Sequence, residues 1–290
     1  TKRVASKRSL LAVRPMLTAA GGAERCRIEV GDRVSALATF VDPATGEPRV
    51  ACGGRGKLHI YDPIAGGAAL VVIDVNACAL AVFTDPATGE PRLACGCGKK
   101  GVFIFDPVAG GEALLMIDVG DEAGRWSDGE ALVLFEDLAT GAPRVACGIH
   151  TGDYNSGAGD VRIFDPIAGG EALVVLEVGS EEYSLAFFTD PATGEVRLAC
   201  GTTELDKGNN EVGGKVLVFD PVEGGGALLV LDIGSPVKAL AVFKDPATSA
   251  PWLACGSADG KVRVFDAVSG SYALLALDVG SPVRALVAFK

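Results

Sequence analysis

Two histidines, eight cysteines and a few polar or aromatic segments are the residues of this chain whose chemistry could go beyond packing. His59 lies between Leu58 and Ile60 in an alternating apolar run, so a strand position is expected for it rather than a catalytic base. His150 has Asp153 nearby to orient an imidazole, yet no motif places a Ser or Cys nucleophile beside it. No catalytic residue is therefore assigned. Cys95 and Cys97 suggest a metal, but zinc sites pair cysteines two to four residues apart and add a second pair, which is missing here. Asp206-Lys-Gly-Asn-Asn-Glu211 is rich in the hard oxygen ligands that calcium takes, without the twelve-residue spacing of an EF-hand. No metal and no cofactor are expected.

The elements that carry these residues follow from an internal repeat. Asp42-Pro-Ala-Thr-Gly-Glu-Pro-Arg-Val-Ala-Cys52 returns at Asp85 to Cys95, Asp137 to Cys147, Asp190 to Cys200 and Asp245 to Cys255. A second landmark, an aromatic residue followed by Asp, closes on Asp62, Asp106, Asp165, Asp220 and Asp266. Each unit divides into four strands, a to d. Strand a is an apolar run such as Val237 to Phe243, ended by a Pro- and Gly-bearing reversal. Strand b is the short Arg-Leu-Ala-Cys-Gly. Strand c, as in Lys261 to Phe265, is entered there through Asp259-Gly260, a hairpin dipeptide. Strand d, as in Ala227 to Ile233, follows a Pro-x-x-Gly-Gly connection. The Asp that ends strand c is expected to form the next turn with its side chain. Four short antiparallel strands per repeat of about 40–50 residues predict a propeller blade rather than a solenoid.

The Ala-Cys-Gly b strand, the Asp-Gly turn and the aromatic-Asp end of strand c resemble the WD-repeat family over nearly the whole chain. The family's Trp is Phe or Tyr at positions 61, 105, 164, 219 and 265, and its Gly-His pair before strand a is absent. With only His59 and His150, the family's His-centred hydrogen-bond network cannot recur, so cohesion between blades must rest on apolar packing. The resemblance implies that b–c and d–a loops share one face and a–b and c–d loops the other. Three insertions fall on the first of these faces: Gly120 to Gly129, Gly148 to Gly159 and Gly201 to Gly214. Loops held by a rigid scaffold carry binding, and Trp, Tyr and Arg are favoured anchors. Arg125, Trp126, His150 and Tyr154 are the expected partner contacts. Asp121, Glu122, Asp153, Asn155, Glu204, Asp206, Asn209 and Asn210 form their polar surround. The alternative is that these are tolerated insertions at loop tips.

Five a strands begin near 34, 79, 130, 183 and 237, and a sixth spans Val283 to Phe289. Arg3 to Ser6 matches strand b, Leu10 to Val13 can serve as strand c, and Gly21 to Gly31 matches strand d. The expected fold is all-β: a six-bladed β-propeller of four-stranded antiparallel blades forming one domain over 1–290. Blade six combines 1–31 with 283–290, blades one to five lie within 33–282, and strand a of 283–289 pairs beside strand b of 3–6. Such closure removes open sheet edges. A five-bladed ring with a basic arm and a slice of a longer array are the alternatives.

Composition sets the outer bounds. Hydrophobic residues make up 49% of the 290, aromatics only 6%, with 39 Gly and 15 Pro, which suits many short strands joined by turns. A net charge of -11 argues against a nucleic-acid partner, since phosphate binding needs a positive field. No apolar run approaches the ~20 residues of a membrane span. Lys2, Arg3, Lys7, Arg8 and Arg14 precede the first acid, Glu24, a pattern also shared by organellar presequences. The first residue is Thr1 rather than Met, as expected of a processed chain or a segment of a longer one. Cysteines at equivalent sites of neighbouring blades should lie about 10 Å apart, beyond the ~7 Å limit for bridging. Buried, reduced thiols in an intracellular, reducing compartment are expected. The functional reading is a non-catalytic scaffold for other proteins, or a structural subunit of a larger assembly. The alternative is a propeller hydrolase or lactonase with a calcium or acidic site at its channel mouth.

Overall fold

The structure, a computed structural model, describes residues 10–11, 27–31, 33–97, 101–119, 131–150, 159–208, 210–270 and 272–288. Among these the chain is all-β and propeller-like, with no helix and with five antiparallel sheets that each run a, b, c, d in sequence order. Sheet I comprises β3 (Val34–Val41), β4 (Pro48–Gly54), β5 (Leu58–Tyr61) and β6 (Val71–Ile73); it follows a short pair, β1 (Leu10–Leu11) with β2 (Ile28–Glu29). Sheet II comprises β7 (Ala79–Thr84), β8 (Pro91–Gly96), β9 (Val102–Phe105) and β10 (Leu115–Ile117). Sheet III comprises β11 (Leu132–Asp137), β12 (Ala142–His150), β13 (Gly159–Phe164) and β14 (Val174–Glu177). Sheet IV has β15 (Glu181–Thr189), β16 (Val196–Leu205), β18 (Lys215–Phe219) and β19 (Leu229–Asp232), with β17 (Glu211–Gly213) paired to the far end of β16. Sheet V has β20 (Val237–Lys244), β21 (Pro251–Ser257), β22 (Lys261–Asp266) and β23 (Leu275–Asp278).

The turn residues do what their chemistry requires. Every a–b reversal places its fifth residue at positive φ, with that residue's N–H donating to the carbonyl of the opening Asp: Gly46, Gly89, Gly141, Gly194 and Ser249. Glycine adopts this backbone freely, whereas Ser249, at φ 62°, carries a Cβ that disfavours it. The Asp ending strand c is the turn-former expected: Asp62 Oδ1 accepts from Ile64 N and Ala65 N, both at 2.8 Å, and Asp106, Asp165, Asp220 and Asp266 repeat the arrangement.

The chain divides into two compact units, Thr1–Met116 and Ile117–Lys290. Within each unit, one face of a sheet meets the opposite face of the next. In the second unit Phe188, Ala199, Val216 and Leu231 of sheet IV pack against Leu240, Leu253, Cys255 and Phe265 of sheet V. Phe135, Ala146, Val161 and Leu176 of sheet III likewise meet Leu198, Cys200, Leu217 and Phe219 of sheet IV. In the first unit Ala51, Leu58, Ile60 and Ile73 meet Leu93, Cys95 and Phe105, while Ile28 of β2 covers Val50, Cys52 and Tyr61. Fully burying one such aliphatic side chain is worth about 1.5–3 kcal/mol, which supplies the cohesion that the missing histidine network cannot. The cysteines of the five b strands, Cys52, Cys95, Cys147, Cys200 and Cys255, are fully buried. Burial pushes the thiols of Cys52 and Cys255 up to about 11.

Sheet V breaks the pattern on its far face. The third residue of strand d is buried in the other sheets, at 4% exposed for Ile73, 0% for Ile117 and Leu176 and 6% for Leu231, but Leu277 is 50% exposed. The strand expected over 283–289 is not formed within 283–288. Val283 N donates to Ser257 O at 3.2 Å and its side chain is buried, yet Val287 is 81% exposed. A strand exists only through ladder hydrogen bonds, and an apolar run alone does not create the partner. That expected partner, 3–6, lies outside the described residues. The pair β1–β2 does fall on the expected c and d strands of the sixth unit, with Leu10 opposite Glu29 and Leu11 opposite Ile28.

Candidate functional site

The insertion between strands b and c of sheet IV builds the site. It was expected to be a loop, but Thr202 to Leu205 continue β16, and Glu204 pairs with Gly213 and Leu205 with Glu211 across a bulge. Glu204 therefore stands on a strand, which corrects its placement in a loop. The β-branched pair Thr202 and Thr203, both fully buried, favours this extension, and Asp206 N donating to Asn210 O at 2.9 Å closes the tip.

Between this hairpin and the end of β14 lies a recess of about 570 Å³, lined by Val178, Gly179, Ser180, Glu204, Asp206 and Lys215 with Val212, Leu217 and Val230 on its apolar side. Its acids are already engaged. Glu204 is ion-paired with Lys215, whose pKa is raised by that hydrogen bond and charge. Glu211 Oε1 lies 2.6 Å from Lys238 Nζ. Asp206 Oδ1 accepts from Gly208 N at 2.7 Å and Asn210 N at 2.9 Å, and Oδ2 from Asn210 Nδ2 at 3.0 Å, so these donors, the Asn210 side chain foremost, hold its carboxyl below the usual range. Asp206 thus builds the turn with its own side chain. The arrangement offers a shaped, mixed apolar and polar surface whose carboxylates are engaged by Lys215 or by the amides of their own turn.

Of the residues expected to contact a partner, the structure brings Glu204 and Asp206 into this recess and Asn210 beside it. His150 ends β12. Arg125, Trp126, Asp153, Tyr154, Asn155 and Asn209, with Asp121 and Glu122, lie outside the described residues. Lys215, Val178 and Val230 escaped the sequence reading because they belong to regular strands or their ends. A charge complementary to Glu204, eleven residues on across a Gly-rich turn, was the available signal for Lys215. A smaller recess of about 360 Å³ in the first unit occupies the corresponding place beside sheet I, lined by Val30, Gly31, Arg55, Lys57 and His59. His59 sits in β5 as expected, its ring stacked with Tyr61 at 5.9 Å between centroids.

These features define an all-β, propeller-like repeat protein. No family model matches the chain, and no curated protein matches it. Among solved structures, it is similar to the computationally designed Ika8 protein with a TM-score of 0.61 and 22% identity, over 93% of this chain and 70% of that one. BBS1N, solved in complex with ARL6DN, aligns with a TM-score of 0.47 and 14% identity, over 88% of this chain and 85% of that one. The likeness to Ika8 is one of fold.

Proposed function

We propose that this chain is a non-catalytic scaffold, or a structural subunit of a larger assembly, that engages another protein through the b–c and d–a end of its sheets. The observation that carries this reading is the β16–β17 hairpin. It extends the scaffold beyond the regular blade, frames a recess, and engages the carboxylates there with Lys215 or with the N–H groups of its own turn, which suits recognition by shape better than proton transfer. Arg125, Trp126, His150, Asp153, Tyr154 and Asn155 complete the surface in this reading, with protein rather than nucleic acid as the partner, in keeping with the net charge of -11. The burial of a cysteine at the same place in all five b strands is in keeping with a reducing, intracellular setting.

In finer detail we propose a single domain of WD-repeat type with six blades, the sixth formed by residues 1–31 with 283–290. The β1–β2 pair and the open face at Leu277 support it. The test of function replaces 203–214 by the short Ala-Asp-Gly turn of sheet V, with folding checked by circular dichroism. Loss of a co-purifying protein from the native source, together with its loss on replacing Trp126 and Tyr154 by Ala, is expected. Unchanged capture by both variants overturns the reading.

A further inference from the structure

Four of the five repeats hold a guanidinium at one place. Arg49 reaches Asp42 Oδ2 at 3.2 Å and Asp62 Oδ2 at 3.7 Å. Arg92 reaches Asp85 and Asp106 at 3.3 and 3.7 Å, and Arg144 reaches Asp137 and Asp165 at 3.6 and 3.4 Å. Arg197 meets Asp220 at 2.8 Å and is also ion-paired with Glu195. The repeat dictates this geometry. One Asp opens the a–b turn and the other ends strand c; the arginine at the start of strand b, opposite a Phe of strand a, lies between them in the first three repeats, and in the fourth Glu195 takes the place of the turn-opening Asp190.

In the fifth repeat the two carboxylates remain and the arginine does not. Trp252 takes its position, paired in register with Phe243 on one side and Asp266 on the other. Asp245 and Asp266 keep the turn geometry of their counterparts: Asp245 Oδ1 accepts from Ala247 N at 3.1 Å, and Asp266 Oδ1 accepts from Ser269 N at 2.8 Å. Asp245 Oδ2 accepts from the Thr248 hydroxyl, as Asp137 Oδ2 does from Thr140 while still facing Arg144. Among the described residues no Lys, Arg or His is ion-paired with Asp245 or Asp266. The indole meets Phe243 edge-on at 5.7 Å, 82° between planes, and is half-exposed.

We propose that Asp245, Trp252 and Asp266 receive an arginine side chain from a partner protein, which supplies in trans the guanidinium that the sister repeats supply in cis. The same two carboxylate positions hold that group three times in this chain, and the strand-c position alone holds it a fourth time, so its chemistry is written in the repeat. A planar guanidinium bridges two carboxylates where an ammonium acts as a point charge, and Trp is the best aromatic face for a cation. The place reaches the surface, since Asp245, Trp252 and Asp266 are each partly exposed. It lies at the opposite end of strand b from the β16–β17 hairpin and its equivalents, so it is independent of the reading above.

The probe is a short blocked peptide with a single Arg, with citrulline and Lys versions as controls. The intact chain carrying Trp126→Phe leaves Trp252 as its one indole. A saturable change in Trp252 emission with the Arg peptide is expected, about tenfold weaker for Lys and absent for citrulline. The Asp245→Asn, Asp266→Asn pair, isosteric and still able to accept the turn N–H groups through Oδ1, should remove it, with folding checked by circular dichroism. Trp252→Arg, which restores the sister sequence, should fill the place internally and abolish peptide binding read from the peptide's own NMR signals. Equal responses to Arg and citrulline, a response indifferent to the Asn pair, or no saturable response overturns the proposal.

Discussion

Leu231 and Leu277 occupy the same position of strand d in successive sheets, and only one of them is covered. Replacing Leu231 by Ala removes a side chain that is 6% exposed and leaves a cavity against sheet V, so a loss of about 3–4 kcal/mol is expected. Leu277 is 50% exposed, and truncation there takes away roughly half as much buried apolar surface and opens no closed cavity, for about 1 kcal/mol. A sixth blade on that face changes the second figure: with Leu277 covered as Leu231 is, Leu277→Ala should also cost about 3 kcal/mol. The assay is urea denaturation of the whole chain, comparing midpoints at unchanged slope. Under the proposed six-blade closure the two variants should agree to within about 1 kcal/mol. A loss of about 1 kcal/mol or less at Leu277 beside a full loss at Leu231 refutes the covered face, and with it the closing blade.

Ser249→Gly should stabilise the chain by about 0.5–1 kcal/mol, because Ser249 holds a φ of 62° that glycine adopts freely in the other four repeats; a lower melting temperature contradicts this. Hydrogen bonds from Arg263 hold the Asp259 carboxyl at about 2. A depressed folded pKa means that its stabilisation is present above the unfolded value near 4 and is lost as pH falls towards 2. After solvent screening it should amount to about 1 kcal/mol, read as the difference between the natural chain and Asp259→Asn at pH 6, and should vanish near pH 2. Calcium at millimolar concentration should leave the melting temperature unchanged, since Asp206 spends its oxygens on its own turn; a clear rise would favour the acidic-site hydrolase instead.

Much of the fold was legible because turn chemistry punctuates it. The a strands expected near 34, 79 and 237 begin at Val34, Ala79 and Val237, each set off from strand b by the same Asp-Pro-Ala-Thr segment. The strand expected near 130 starts at Leu132, after an insertion that blurs its beginning. Less of the site was legible. Thr202 to Leu205 read as loop since the Gly and Asn residues that follow dominate the composition, whereas cross-strand pairing with Glu211 and Gly213 decides the outcome. The run at 283–289, which forms no strand within 283–288, shows the same dependence in reverse. Its sequence closely matches Val237 to Phe243, and similarity of sequence does not bring a hydrogen-bonding neighbour with it.

The linkers Gly234-Ser-Pro-Val237 and Gly280-Ser-Pro-Val283 are identical, and Val237 and Val283 crowd the same glycine of their preceding b strands, Gly201 and Gly256. A repeat is thus entered and left through interchangeable joints, and within each unit its apolar contacts run to its immediate neighbours. Growth by duplication then needs no new solution to any packing problem: one more copy cut at these joints would meet, on either side, a surface its predecessors already fit.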